Sequence, residues 1–140
     1  MRLIISAFII LLGFSVAPSL AASVEARIDV SEQKMYVYRN GVLRHKWRVS
    51  TARKGFSTPR GSWRPTRMHK EYYSKKYYNS PMPYSIFYYG GYAIHGTNAI
   101  KRLGRPASHG CVRLHPKNAA RLFNMVKRAG AKNTRIRVVN

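Results

Sequence analysis

Short runs of β-branched and aromatic residues, separated by turn residues, constrain the fold of this chain more than any other feature. The clearest pair covers residues 35–39 and 42–49, joined by Asn40-Gly41, a two-residue link suited to a type I′ hairpin turn. Other runs of this type are 28–30, 62–64, 85–89, 92–95 and 135–139. Their number and brevity predict a mainly β fold.

One stretch alone has convincing helical periodicity. It begins at Pro116, a favoured first helical residue, and apolar side chains follow at helical spacing between residues 119 and 126. Gly130 provides a stop signal. We therefore predict a β-sandwich-like domain that carries one principal α-helix.

The N-terminus has the pattern of a secretory signal peptide. Arg2 precedes an apolar run from Leu3 to Val16, and Ser19 and Ala21 fit the small-residue positions before a cleavage site. The run is short for a membrane span, although an uncleaved anchor is the alternative. We expect a signal over residues 1–21, one domain over 22–140, and export to the periplasm or cell wall.

The charge of the chain is strongly unbalanced. It has 26 Lys and Arg against four Asp and Glu, a formal net charge of +22. Such a field favours polyanionic partners. Nucleic acid is not expected for an exported chain, whereas contact with anionic envelope polymers is. A non-catalytic basic binding protein for such polymers is therefore one hypothesis for the whole chain.

The chain has one cysteine, Cys111, which excludes a disulfide framework within it. A lone thiol in an exported protein is exposed to oxidation, so its presence suggests a use. A buried, inert cysteine is the ordinary alternative. Composition alone leaves both open.

The chemistry-bearing residues lie in two segments, 94–97 and 108–114. If the second is extended, His109, Cys111 and Arg113 share one face while the residues between them pack inward. A thiol, an imidazole and a guanidinium then lie close together. This is the combination that activates a nucleophilic cysteine, because an imidazole or a positive field favours the thiolate.

Carboxylates are too few to complete a conventional triad. None is near either of these segments in sequence, so a backbone carbonyl or an amide is expected to orient the imidazole. One ring nitrogen then donates to that group and the other accepts the thiol proton. The four acidic residues are Glu25, Asp29, Glu32 and Glu71.

These segments resemble the L,D-transpeptidase catalytic domain, also called the YkuD domain. That family carries a His, a spacer, and then Ser/Thr-His-Gly-Cys followed by an apolar residue and Arg or Asn. Here the pattern reads His95-Gly96-Thr97 and Ser108-His109-Gly110-Cys111-Val112-Arg113. Residues 58–63 resemble its Thr-Pro-x-Gly-x-aromatic turn, and Met82-Pro83-Tyr84 lies where a further motif is expected. The resemblance covers about residues 24–139 and implies a YkuD-type fold.

The resemblance implies a role for each matching residue. Cys111 would be the nucleophile and His95 the base and later the acid, oriented by the carbonyl of Gly96. His109 would support the catalytic residues Cys111 and His95 without itself taking the thiol proton. Gly110 and Cys111 would offer backbone N–H groups to an oxyanion, as the missing side chain of Gly110 also suggests.

The implied activity is acyl transfer on peptidoglycan stem peptides, without a metal or cofactor. Cys111 would form a thioester with a tetrapeptide stem, and the acyl group would pass to a second stem, giving a 3→3 cross-link, or to an envelope protein. L,D-carboxypeptidase trimming, with water as acceptor, is the alternative. Arg113 and Ser108 are predicted substrate contacts, and bracing of the loop is the alternative for Arg113.

Two further features are open to more than one interpretation. Zinc binding is disfavoured because the His-Gly-Cys spacing is tight for two ligands, and residues 45, 69 and 115 are read as surface or packing histidines. The candidate zinc ligands are His95, His109, Cys111 and His115.

The Tyr-rich segment 71–92 is either strand packing with a polar rim or a flap over the site.

Overall fold

The computed structural model describes residues 13–15 and 23–140. Most of the predicted signal over 1–21 therefore lies outside the described residues. Within the described part of the chain, no helix combines the length and apolar character needed to cross a bilayer.

The described domain has eleven strands and one α-helix. The helix, α1 (Pro116–Ala129), lies late in the chain, and short 3-10 turns cover Ile100–Arg102 and Ala131–Asn133. The strands are β1 (Val24–Asp29), β2 (Lys34–Arg39), β3 (Val42–Arg48), β4 (Gly61–Trp63), β5 (Arg67–His69), β6 (Tyr73–Ser74), β7 (Ser80–Pro81), β8 (Ser85–Tyr89), β9 (Tyr92–Gly96), β10 (Val112–Leu114) and β11 (Thr134–Val139).

The larger sheet has five strands in the order β3-β2-β1-β11-β4. Its β2–β3 hairpin turns at Asn40 and Gly41, whose φ angles of 50° and 77° are both positive, as a type I′ turn requires. The predicted hairpin is confirmed. Strands β1 and β11 pair in parallel, which joins the two ends of the domain.

The smaller sheet has the order β10-β9-β8-β5, with β9 and β10 parallel. Apolar side chains of both sheets and of α1 form one core, which includes Ile28, Val37, Ile94 and Leu122. The predicted mainly β architecture with one principal helix is confirmed. The helix begins at Pro116 as expected.

Two local predictions need correction. The first strand runs over Val24–Asp29, earlier than the expected 28–30, because parallel pairing with β11 aligns Val24 with Thr134. The 108–114 segment is not extended throughout. Only Val112–Leu114 forms a strand, since Gly110 has a φ of +139° and the residues before it turn.

Candidate active site

A cavity of about 630 Å³ opens on the face of the smaller sheet that points away from the main core. It is lined from β9, from the 108–113 segment and from the Tyr-rich segment. The sequence-predicted side chains His95, Ser108, His109, Cys111 and Arg113 all line it. The fold thus brings residues from two distant segments to one cleft.

The parallel register of β9 and β10 places the thiol and the imidazole together. Arg113 is opposite His95, so Cys111, two residues earlier, lies just before β10 and beside Ala93. Side chains two residues apart on a strand share a face, and Val112 and Ile94 point into the main core instead. Cys111 and His95 therefore face the cleft from neighbouring backbone segments.

A backbone carbonyl orients His95. Its Nδ1 lies 2.7 Å from the carbonyl oxygen of Gly96, so Nδ1–H donates there and Nε2 is left as an acceptor. Gly96 itself is tightly enclosed, because a Cβ there would lie 3.1 Å from both Pro116 and Pro83. The start of α1 thereby holds the orienting carbonyl in place.

Burial makes His95 a weak base. The side chain is 6% exposed, and burial lowers its pKa to about 4, with the charge of Arg113 acting in the same direction against the Gly96 hydrogen bond. The imidazole is neutral at neutral pH. A neutral ring with a free Nε2 is the form that accepts a proton from a thiol.

The Cys111 thiol is protonated in the same environment. Burial raises its pKa above the usual 9.0, although the Ala93 N–H and the charge of Arg113 both lower it. The S–H group points to the carbonyl oxygen of Gly91 at 3.9 Å. The positive charge does favour the thiolate, as expected, but desolvation is the larger effect on the pKa of Cys111.

The turn before Cys111 depends on Gly110. A Cβ at this residue would lie 2.6 Å from a ring carbon of Tyr92, and its positive φ is strained for other residues. Its N–H donates to Ser108 Oγ at 3.0 Å, while Thr58 Oγ1 donates to its carbonyl at 2.9 Å. The Gly110 N–H is therefore engaged inside the turn, which leaves the Cys111 N–H as the candidate oxyanion donor of the predicted pair.

Ser108 braces this turn. It is 1% exposed, and its hydroxyl donates to the Cys111 carbonyl at 2.6 Å while accepting from Gly110 N–H. Both hydrogen bonds of the hydroxyl thus lie inside the turn, and the predicted substrate contact of Ser108 stays a prediction.

His109 has a different environment from His95. Arg53 Nη2 lies 2.7 Å from His109 Nε2, and because arginine only donates, that nitrogen is an acceptor already in use. The ring of Tyr77 stacks on His109 at 4.1 Å, and Phe56 meets it edge-on at 4.8 Å. His109 therefore forms part of the cleft wall, with its Nε2 unavailable to the thiol.

The cleft is basic. Arg113 is half-buried and donates to the Ala107 carbonyl at 3.3 Å, which is the bracing contact considered for it. The described lining residues include no Asp or Glu, and no group of described residues meets the pattern of a metal site. The other lining cations are Arg67, Lys75 and Lys76.

His95 also links stability to pH. Its folded pKa of about 4 is below its usual 6.5, so the unfolded chain binds a proton first as pH falls. We expect about 3 kcal/mol of folding free energy to be lost between neutral pH and pH values below the folded pKa. Urea unfolding of wild type and His95→Gln at neutral and acid pH measures this loss of folding free energy. An equal loss at acid pH in the two proteins would contradict the lowered pKa of His95 as its cause.

Several contacts of the site were not predicted from sequence. Arg53 and Phe56 reach His109 from one turn and Tyr77 reaches it from the Tyr-rich segment, and no spacing pattern marks them. The Ala93 N–H near the thiol is a main-chain group, which side-chain motifs cannot reveal. The Tyr-rich segment does line the cleft through residues 72–82.

Comparison with known proteins gives one family. Residues 23–138 match the family model described as the L,D-transpeptidase catalytic domain, YkuD. The probable L,D-transpeptidase YbiS of Escherichia coli strain K12 is 37% identical over 79 residues, which cover 46% of this chain and 25% of that protein. The chain thus spans about a quarter of the curated relative.

Solved structures share the fold. An L,D-transpeptidase from Mycobacterium smegmatis superposes with a TM-score of 0.76 at 22% identity, covering 85% of this chain and 59% of that one. The L,D-transpeptidase LdtMt1 in complex with imipenem has a TM-score of 0.74 at 23% identity, covering 84% and 59%. At these identities the likeness establishes the fold.

Proposed function

The chain belongs to the L,D-transpeptidase catalytic domain (YkuD) family, and on that premise we propose that it is a peptidoglycan L,D-transpeptidase that acts through a thioester on Cys111. The observation that carries this proposal is the Cys111 thiol on the same cleft face as His95, whose Nε2 is left free by the Gly96 contact. The family acts on peptidoglycan, so we place the protein in the cell envelope as an exported chain.

The charge of the cleft supports a stem peptide as the donor. Tetrapeptide stems carry free carboxylates, and the four cations of the cleft face no described acidic side chain. A buried cation attracts an anionic group more strongly than an exposed one, because water screens it less. Half-buried Arg113 lies opposite His95 in the strand register, and its charge acts on the Cys111 thiol.

The first step forms the acyl-enzyme. The thiol proton passes to His95 Nε2 as sulfur attacks the carbonyl carbon of the third stem residue, and Cys111 N–H faces the developing oxyanion. The C–N bond to the terminal D-alanine then breaks, and His95 returns its proton to the leaving amine. Proton transfer coupled to attack suits a pair that rests as neutral thiol and neutral imidazole.

The second step transfers the acyl group. An amine of a second stem or of an envelope protein attacks the thioester and loses a proton to His95. The sulfur leaves and is reprotonated. Since the described lining residues hold no carboxylate that would retain an ammonium ion, the acceptor amine is expected to enter in its neutral form.

Product analysis tests this function. The full chain is incubated with a purified tetrapeptide stem, and products are identified by mass spectrometry. We expect released D-alanine together with a 3→3-linked dimer, and loss of both after one equivalent of imipenem, the ligand of the similar LdtMt1 structure. D-alanine with tripeptide alone would assign the protein as an L,D-carboxypeptidase. No product from folded, reduced protein would leave a binding role and contradict catalysis.

A further inference from the structure

The tip of the β2–β3 hairpin exposes an adjacent apolar pair. Val42 is 53% and Leu43 is 48% exposed, and exposed arginines lie on either side of them, Arg39 and Arg44. A single exposed apolar residue is ordinary. Two together at a turn, flanked by cations, are typical of surfaces that enter the boundary between lipid headgroups and acyl chains.

A basic groove lies beside this tip. It has a volume of about 620 Å³ and includes Tyr38 and Gly41 of the hairpin in its wall. Glu25 is the one carboxylate among its described lining residues, and Arg137 donates to it at 3.0 Å. The other four cations of the groove form no ion pair with an acidic side chain of the described residues. They are Arg27, Arg64, Lys132 and Arg135.

The chain enters the domain at the same place. Ser23 N–H donates to Asn40 Oδ1 and Asn40 N–H donates to the Ser23 carbonyl, both at 2.9 Å. The apolar run of residues 3–16 precedes this point in the sequence. Ser23, where the described domain begins, therefore lies beside the hairpin tip.

The groove and the active-site cleft are on opposite sides of the sandwich. On β1 and β2, Ala26 and Val37 point into the core, so their neighbours Arg27 and Tyr38 point outward from the larger sheet. The cleft opens on the outer face of the smaller sheet. A partner bound at the groove thus leaves the cleft accessible.

We infer that the hairpin tip and the basic groove together form a binding surface for anionic phospholipid headgroups at a membrane. The groove cations bind the phosphates, while Leu43, whose register partner Tyr38 faces outward, enters the acyl boundary. Val42 lies at the turn itself and adds exposed apolar surface to the tip. The apolar tip favours a membrane over a soluble polyanion, because a dissolved polymer offers no apolar phase for it. When the protein is bound to the bilayer in this way, its active-site cleft faces away from the bilayer.

Tryptophan quenching in the full chain tests the inference. Leu43→Trp is compared with Ile100→Trp, which replaces an apolar side chain of similar exposure, 46%, away from the groove. Vesicles contain phosphatidylglycerol with brominated acyl chains, and wild type gives the background of Trp47 and Trp63. We expect quenching at residue 43 at least about twice that at residue 100, since only the former reaches the acyl boundary. Equal quenching, or none at residue 43, overturns the inference.

Two charge-reversal variants distinguish binding by the groove from attraction by the overall positive charge of the chain. Lys132→Glu with Arg135→Glu in the Leu43→Trp chain should weaken vesicle binding at least about tenfold, because each cation near an anionic surface contributes to binding. Lys101→Glu with Arg105→Glu changes the net charge equally and should have a much smaller effect. Equal losses in the two double variants, or equal quenching on phosphatidylcholine vesicles, contradict headgroup binding by the groove.

Discussion

Replacing Cys111 by alanine is expected to abolish D-alanine release, with a loss of at least about 10⁴-fold. The thioester needs sulfur, and no second cysteine exists in the chain to substitute for it. The remaining cleft, with its Cys111 N–H and its cations, still holds the stem. Release of D-alanine from the tetrapeptide, followed by mass spectrometry, measures the loss.

Cys111→Ser is the matched variant for this experiment. It keeps a hydroxyl at the same position, but the higher pKa of an alcohol makes proton transfer to a weakly basic His95 unfavourable. We expect it to be nearly as inactive as alanine while binding the stem with unchanged affinity in calorimetry. An alanine variant that retained more than about one per cent of the wild-type rate would contradict Cys111 as nucleophile.

Replacing His95 by alanine should reduce kcat/KM by about 10²- to 10⁴-fold, the range of a general base. His109→Ala is the comparison, because His109 lines the same cleft yet has Nε2 occupied by Arg53. It should cost much less, through lost stacking with Tyr77. Comparable losses from the two substitutions would contradict the proposed roles.

The pH dependence of wild-type kcat/KM provides the independent measurement. His95 must be unprotonated to accept the thiol proton, so activity should fall on the acid side only as pH approaches its pKa of about 4. An acid limb near the ordinary histidine pKa of about 6.5 would contradict a buried, neutral His95 as the base.

Local sequence signals predicted the elements that depend on local geometry. Asn40-Gly41 favours the positive φ angles of a type I′ turn, and the structure has them. Pro116 suits the start of the helix because the first turn needs no hydrogen bond from its missing N–H. Gly130 ends the helix because it adopts a positive φ there. The start of β1 was misplaced because its pairing partner is more than a hundred residues away.

The active site likewise has features that local sequence predicts and features that depend on distant contacts. The sequence motif singled out Cys111 and His95. The shortage of carboxylates predicted a backbone carbonyl or an amide as the orienting group, and the structure has the carbonyl of Gly96 there. The use of Gly110 N–H by Ser108 was not predictable, because it depends on how the turn closes. The contact of Arg53 with His109 joins residues 56 positions apart and has no local signal.

By itself, the sequence determined which residue types the chemistry has available: one thiol, few carboxylates, a specific His-Gly and Ser-His-Gly-Cys pattern, and a large positive charge. The tertiary structure alone decided their protonation states and their separate roles. Burial between the smaller sheet and the surrounding loops raises the pKa of Cys111 and lowers that of His95. Desolvation is a property of the packed surroundings, so no local pattern can show that the thiol and imidazole rest as a neutral pair.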